Sequence, residues 1–131
     1  MPTAIVTGSG GLIGSESVRS LVEQGYDVIG LENDMRAYFF GKEASTAATT
    51  TQLRQAHPEF RSLEVDVRDA GAVDAVVRRN RDGLELIVHA AGQPSHDWAA
   101  KEPQTDFGVN ANGTLNPVSY THLTLPTTPY V

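Results

Sequence analysis

The chain has 131 residues, a formal net charge of −6 and no cysteine. That length holds one modest domain with a real core. An acidic balance without any basic run argues against a nucleic-acid surface, and the lack of cysteine excludes a disulfide framework and thiolate chemistry. No metal site is expected. No apolar run approaches the roughly 20 residues needed to cross a bilayer. Met1-Pro2-Thr3 leads straight into a strand pattern without a signal-peptide layout, so a soluble cytoplasmic protein is expected.

Thr3 to Thr7 is short, apolar and β-branched, the pattern of a buried strand. It runs into Thr7-Gly8-Ser9-Gly10-Gly11-Leu12-Ile13-Gly14. A strand, a glycine turn and a helix start make a place for a phosphate, because the first turn of a helix offers unpaired N–H groups and the positive end of its dipole. Gly8 would turn the chain sharply off the strand, Gly11 would let backbone approach a pyrophosphate, and Gly14 would let the helix lie close on the sheet. Leu12 and Ile13 stand at that helix start and belong to the same candidate cradle. Glycine triplets also make plain turns, so the loop needs a second feature.

Gly14, Val18, Leu21, Val22 and Gly25 fall on one helical face, with Arg19, Glu23 and Gln24 on the other, and Gly25-Tyr26 ends the helix. Asp27 to Leu31 is a second buried strand, completing a right-handed βαβ unit. At its end stands Glu32, close to 20 residues beyond the glycines, where a dinucleotide fold places an acid for the adenosine ribose. A carboxylate there accepts from the 2′- and 3′-hydroxyls and repels a 2′-phosphate, which favours NAD over NADP. Asn33 adjoins it. Arg36 is the counterweight, as a cation able to hold that phosphate or as a solvated loop residue.

Tyr38-Phe39-Phe40-Gly41-Lys42 contains Tyr-x-x-x-Lys, the spacing of a catalytic pair in short-chain dehydrogenases. That chemistry needs both residues on one helix, where the cation can help lower a tyrosine pKa of about 10. Here Gly41 disfavours a helix and the position follows the second strand, so the pair is read as a coincidence and the aromatics as loop packing. Ser45 to Thr51 reads as a loop and helix cap, with a short helix running towards Ala56 and stopped by Pro58. Phe60 to Val65 is the third strand, ending in Asp66-Val67-Arg68-Asp69. In this fold Asp66 can accept from an adenine amine while the Val67 backbone meets the ring edge; a helix cap fits Asp69 better than Asp66. Val73, Val76 and Val77 give the next helix its apolar face, and Gly83 closes it.

Leu84 to Ala90 is the fourth strand, followed by Ala91 and Gly92, which keep the backbone thin. In strand order 3-2-1-4 the first and fourth strands are neighbours whose connections leave on opposite faces, so residues 8–14 and 89–95 should wall one cleft. His89 tempts an acid–base role but reads better as a hydrogen-bonded structural histidine. Gln93, Ser95 and His96 could bind a ribose or sugar hydroxyl, or Ser95 and Asp97 could cap a turn. A helix from Asp106 to Leu115 would carry Asn110 towards the sheet beside the ribose.

Taken together, Gly8-x-x-Gly11-x-x-Gly14, Glu32, Asp66-Val67, Ala90-Ala91 and Asn110-x-x-Gly113-Thr114 resemble, in order, the NAD-dependent epimerase/dehydratase family of extended short-chain dehydrogenases/reductases. The strings Glu32 to Arg36, Tyr38 to Thr46 and Gln93 to Pro103 resemble its CDP-paratose 2-epimerase (CDP-tyvelose 2-epimerase) branch. Glu32 departs modestly from the more usual Asp. The resemblance implies an α/β Rossmann-type, doubly wound parallel sheet, here its first four strands, with NAD as cofactor. It also implies a nucleotide-sugar substrate (a CDP-hexose in that branch) with Ser95 and His96 towards it, and a homo-oligomer in the intact enzyme. A sugar 4-epimerase, a 4,6-dehydratase of the same fold, or a dinucleotide-binding sensor or scaffold without chemistry are the alternatives.

By the same resemblance a tyrosine, its lysine and a Ser or Thr would perform the chemistry. None is identifiable, since Lys101 is the last lysine and precedes Tyr120 and Tyr130. No catalytic residue is therefore assigned, and this chain is expected to be inactive by itself. Residues 1–116 are expected to be the N-terminal part of the cofactor domain. From 117 to 131 the residues lose the likeness and read as a foreign tail, with Pro117 interrupting the helix. The fourth strand is then expected to be an edge, and the half-sheet only marginally stable.

Overall fold

The computed structural model describes residues 1–92 and 96–118. β1 (Thr3–Thr7) is buried at all five positions and lies at the centre of a parallel sheet. A strand covered on both faces has no polar side, which is why Thr3-Ala4-Ile5-Val6-Thr7 shows no alternation. β2 (Asp27–Leu31) pairs on one side of it and β4 (Leu84–His89) on the other; β3 (Arg61–Leu63) completes the order β3-β2-β1-β4. The register sets Thr7 opposite Leu31 and opposite His89, so the three strands end level and their following loops meet at one rim.

Helices cover both faces. α1 (Leu12–Glu23) and α3 (Ala47–Ala56) pack Val18, Leu21 and Leu53 against Ala4, Val6, Val28 and Phe60. On the opposite face α4 (Ala70–Arg79) sets Val73, Val76 and Val77 on Ile5, Ile29, Leu31 and Ile87. Each such aliphatic side chain contributes about 1.5–3 kcal/mol when fully buried. Asp69 caps α4 by accepting from the Ala72 N–H at 3.1 Å, as expected of it rather than of Asp66.

Several boundaries differ from the sequence expectations. β3 covers only Arg61–Leu63 of the expected 60–65, because it pairs with β2 only from Ile29 to Leu31, where that strand ends. β4 stops at His89 rather than Ala90. α4 ends on Asn80, whose Nδ2 donates to the Val76 carbonyl at 2.8 Å, and not on Gly83. The aromatic stretch after β2 is a helix, α2 (Met35–Phe40), rather than a loop; Gly41 ends it at φ 89°, and Lys42–Ala44 form a 3₁₀ turn.

Beyond β4 come α5 (His96–Lys101), α6 (Pro103–Phe107), a π turn at Gly108–Asn112, and α7 (Gly113–Val118). The expected helix over 106–115 is thus present, within a helical run from Pro103 to Val118 that widens to π geometry at Gly108–Asn112. Pro117 does not interrupt α7 but lies inside it. A proline there gives up its bond back to the carbonyl four residues earlier, and its ring crowds that carbonyl. That loss is offset here, since Pro117 is buried and Asn116 Nδ2 donates to the Val67 carbonyl at 2.8 Å. No helix among the described residues is long and apolar enough to cross a membrane.

Candidate functional site

The loops leaving β1, β2, β3 and β4 enclose a cleft of about 440 Å³. Its floor is the glycine loop. Gly8 has φ 66°, in the left-handed region, and a Cβ there would lie 2.8 Å from the Ala91 nitrogen. The first and fourth strand ends therefore touch, as the switch-point geometry requires. A Cβ on Gly14 would overlap the Gly8 carbonyl oxygen, so that glycine seats α1 on the turn. Gly11 differs from both: a Cβ there would approach only the Gly8 oxygen at 3.4 Å, leaving its backbone open to the cleft. Gly11 precedes α1 and no side chain caps that helix. The first-turn N–H groups, flanked by Leu12 and Ile13 at 83% and 67% exposure, are left for an anion.

Glu32 lines the cleft at the end of β2 with both carboxylate oxygens engaged. Oε1 accepts from the Gly10 N–H and Oε2 from the Asp34 N–H, each at 2.8 Å. Asp34 has a left-handed backbone, φ 56°, which short Asp and Asn side chains tolerate. Its carboxylate accepts from the Thr46 N–H at 2.8 Å and the Thr46 hydroxyl at 3.1 Å, and from Ser45 Oγ at 2.5 Å. Burial pushes the Asp34 carboxyl up, but the Ser45 and Thr46 hydrogen bonds outweigh it and hold the group below its ordinary value. Glycine loop, β2 end and α3 start thus form one hydrogen-bonded unit. Gly10 is required for it, as a Cβ would fall 2.8 Å from Thr46 Cβ and 2.9 Å from Glu32 Oε1. Gly10 has no signal in the sequence beyond being one more glycine in the loop, and Thr46 none beyond its place in a capping stretch.

Asn33 and Arg36 line the same wall, the Arg36 guanidinium lying 5.4 Å over the Phe40 ring. Asp66 and Val67, after the neighbouring strand β3, line the cleft as well. Arg68 holds Asp66 through Nη2 at 2.6 Å and Nε at 3.0 Å. Burial raises the Asp66 carboxyl, while the Arg68 hydrogen bonds and charge outweigh this and hold it below the ordinary carboxylate range. Ala90, Ala91, Gly92 and Asn110 close the far side. Asn110 is exposed at the cleft edge; its Oδ1 would lie 3.4 Å from a Cβ on Gly92, just past β4, and its Nδ2 donates to Asp106 Oδ1 at 3.1 Å. Gln93 and Ser95, and the side chain of His96, lie outside the described residues. Met35, Phe39, Val65 and Val109 add an apolar lining that the motif had not marked.

His89 is a structural residue. Thr7 Oγ1 accepts from the Ala90 and Ala91 N–H groups at 3.1 and 3.2 Å and lies 2.7 Å from His89 Nδ1. Thr114 Oγ1 donates to the Asn110 carbonyl at 2.7 Å and lies 3.0 Å from His89 Nε2. The arrangement is satisfied when Thr7 donates to Nδ1 and Nε2–H donates to Thr114, a neutral imidazole. Burial lowers the His89 pKa, in keeping with that state. Tyr38 and Lys42 sit on either side of Gly41 and share no helix, so the Tyr-x-x-x-Lys spacing here is a coincidence. Among the described residues no cluster of His, Asp and Glu is placed to hold a metal.

A family profile described as "NAD dependent epimerase/dehydratase family" matches residues 4–126, past the boundary expected at 116. UDP-glucose 4-epimerase of Neisseria gonorrhoeae is 30% identical over 114 residues, spanning 86% of this chain and 31% of that protein. The chain thus spans about a third of the length of the curated relatives it matches. Among solved structures, the UDP-Glc/GlcNAc 4-epimerase from Campylobacter jejuni superposes with a TM-score of 0.76 at 21% identity, over 95% of this chain and 34% of that one. UDP-glucose 4-epimerase of Thermus thermophilus, solved in complex with NAD, gives 0.71 at 26% identity, over 93% and 34%.

Proposed function

The chain belongs to the NAD-dependent epimerase/dehydratase family, and we propose that it is the NAD-binding portion of a nucleotide-sugar epimerase. The observation that carries this reading is the open Gly11 backbone at the uncapped start of α1, facing Glu32 across one cleft. The residues fit the dinucleotide. Backbone N–H groups from Leu12 to Gly14 would take the pyrophosphate over the Gly11 backbone, whose own N–H donates to the Gly8 carbonyl at 3.0 Å. Glu32 would receive a ribose with the lone pairs left free by Gly10 and Asp34, while its charge disfavours a 2′-phosphate. Asn33 and Arg36 would flank that ribose, Asp66 and the Val67 backbone would bound the adenine, and Ala90, Ala91 and Asn110 would border the nicotinamide half.

Bound NAD would supply a hydride acceptor for transient oxidation of a sugar carbon. The described side chains bind and orient; none is assigned a proton transfer, and the chain by itself is proposed to hold the dinucleotide without turnover. In the intact protein, read as a homo-oligomer, Ser95 and His96 would face the sugar nucleotide. The strings at 32–36, 38–46 and 93–103 support a CDP-hexose epimerised at C2. The 30% identity to a UDP-glucose 4-epimerase supports a UDP-sugar and C4 instead. Incubating the full-length protein with CDP- and UDP-hexoses and following C2 and C4 inversion by NMR separates them. Titrating this chain with NAD and with NADP tests the cofactor: NAD should bind more tightly, and a preference for NADP would overturn the role of Glu32.

A further inference from the structure

The tyrosine set aside as a catalytic decoy has a partner across the cleft. The Tyr38 hydroxyl, on α2, donates to the Glu102 carboxylate and lies 3.0 and 2.9 Å from its two oxygens, across 64 residues of sequence. Glu102 stands between α5 and α6 and is itself held by the Thr105 hydroxyl at 3.1 Å. These two attachments belong to opposite walls. α2 follows β2 and carries Phe39 and Phe40 into the cleft lining, whereas Glu102 follows β4. Beside the bridge is the Asp66–Arg68 pair on the loop after β3: the Arg68 charge acts on Tyr38, and Arg68 Cδ would lie 3.2 Å from a Cβ on Gly108, just past α6. Three loops from three strands therefore converge where the adenine end of the cleft is proposed to lie.

We propose that the Tyr38–Glu102 hydrogen bond is a latch across the adenosine end of the cleft, which slows release of the dinucleotide without touching it. The proposal rests on the NAD-binding reading of the cleft. Neither the glycine loop nor Glu32 takes part in it, so the latch acts on escape rather than recognition. Both side chains are surface groups: Tyr38 is 56% exposed, and Tyr38→Phe keeps the ring that meets Phe39 edge-on at 5.2 Å. The bond can therefore be removed without disturbing the core.

The test is displacement of bound NAD from the full chain by stopped flow. Tyr38→Phe and Glu102→Ala should each release NAD about tenfold faster with an unchanged association rate, the equivalent of one charge-assisted hydrogen bond in the barrier to opening. The double variant should release no faster than either single variant, because the two groups make one bond. Glu102→Gln, which keeps an acceptor, should fall between. Without NAD, amide exchange over 35–41 should quicken in Tyr38→Phe, a readout independent of the ligand. Release and exchange unchanged in a folded Tyr38→Phe chain would overturn the latch alone. Failure of the unmodified chain to take up NAD would overturn the binding reading and the latch with it.

Discussion

The Gly10 N–H donates to Glu32 Oε1 at 2.8 Å, which ties the phosphate loop directly to the carboxylate proposed to read the ribose. Recognition of the two halves of an adenosine diphosphate is thereby mechanically joined. Gly10→Ala should push Glu32 and Thr46 away from the loop and cost about 1–3 kcal/mol, as other overpacked sites do. Urea unfolding should show the loss, and NAD affinity should fall with it. A variant as stable as the parent would mean the loop moves freely from Glu32.

Glu32→Gln keeps the side-chain length and removes the charge. Its bonds to Gly10 and Asp34 change from charge-assisted to ordinary, or one of them is lost, so the loop loosens. NAD should bind about tenfold to a hundredfold more weakly, and discrimination against NADP should shrink as repulsion of the 2′-phosphate disappears. Parallel titrations with the two dinucleotides measure both effects. An unchanged NAD to NADP ratio would remove Glu32 from cofactor selection.

His89 gives a pH dependence with a definite sign. Its folded pKa lies below the ordinary 6.5, so below that pH the unfolded chain binds a proton that the folded chain refuses. The stability contributed by neutral His89 is fully present above about pH 6.5 and is lost as pH falls through the folded value. Denaturant midpoints between pH 7.5 and 5 should decline, and His89→Gln should flatten that decline. A parent midpoint that does not change over this range would mean the imidazole carries its proton inside the fold.

Leu53 is 1% exposed and anchors α3, whose leading residues Ser45 and Thr46 hold Asp34. Leu53→Ala should cost about 2–5 kcal/mol and weaken NAD binding through the displaced Thr46–Asp34 unit. The paired readouts are unfolding free energy and NAD affinity under conditions where the variant remains folded. Unaltered affinity would show that α3 supports the sheet alone.

The sheet order and the cleft were legible because they follow from local signals. Ala4-Ile5-Val6 and Val28-Ile29 are unbroken apolar runs, the helical faces of α1 and α4 repeat at helical spacing, and Gly8 and Glu32 stand at strand ends. What stayed hidden depends on tertiary approach. A Cβ on Gly30 would overlap Ser9 Oγ and meet the Phe60 ring at 2.8 Å, so this strand glycine admits the glycine loop against β2, which nothing local in the sequence signals. Thr46 stands at the N-cap position of α3 within the stretch expected to cap a helix, but its hold on Asp34, twelve residues earlier, has no local signal. Pro117 read as a stop because a proline's local cost is visible in sequence, whereas the burial and the Asn116–Val67 bond that offset it are not.

The most direct measurement is calorimetric titration of NAD into the unmodified chain and into Gly11→Val. Gly11 has φ −79°, and a Cβ would meet nothing closer than the Gly8 oxygen at 3.4 Å, so the backbone accepts the first carbon of a side chain beside the cleft. The expected result is saturable binding of one NAD by the parent and none by a variant with an unchanged melting temperature. Equal binding by the two chains would contradict the account, because the dinucleotide would then lie somewhere other than over the glycine loop.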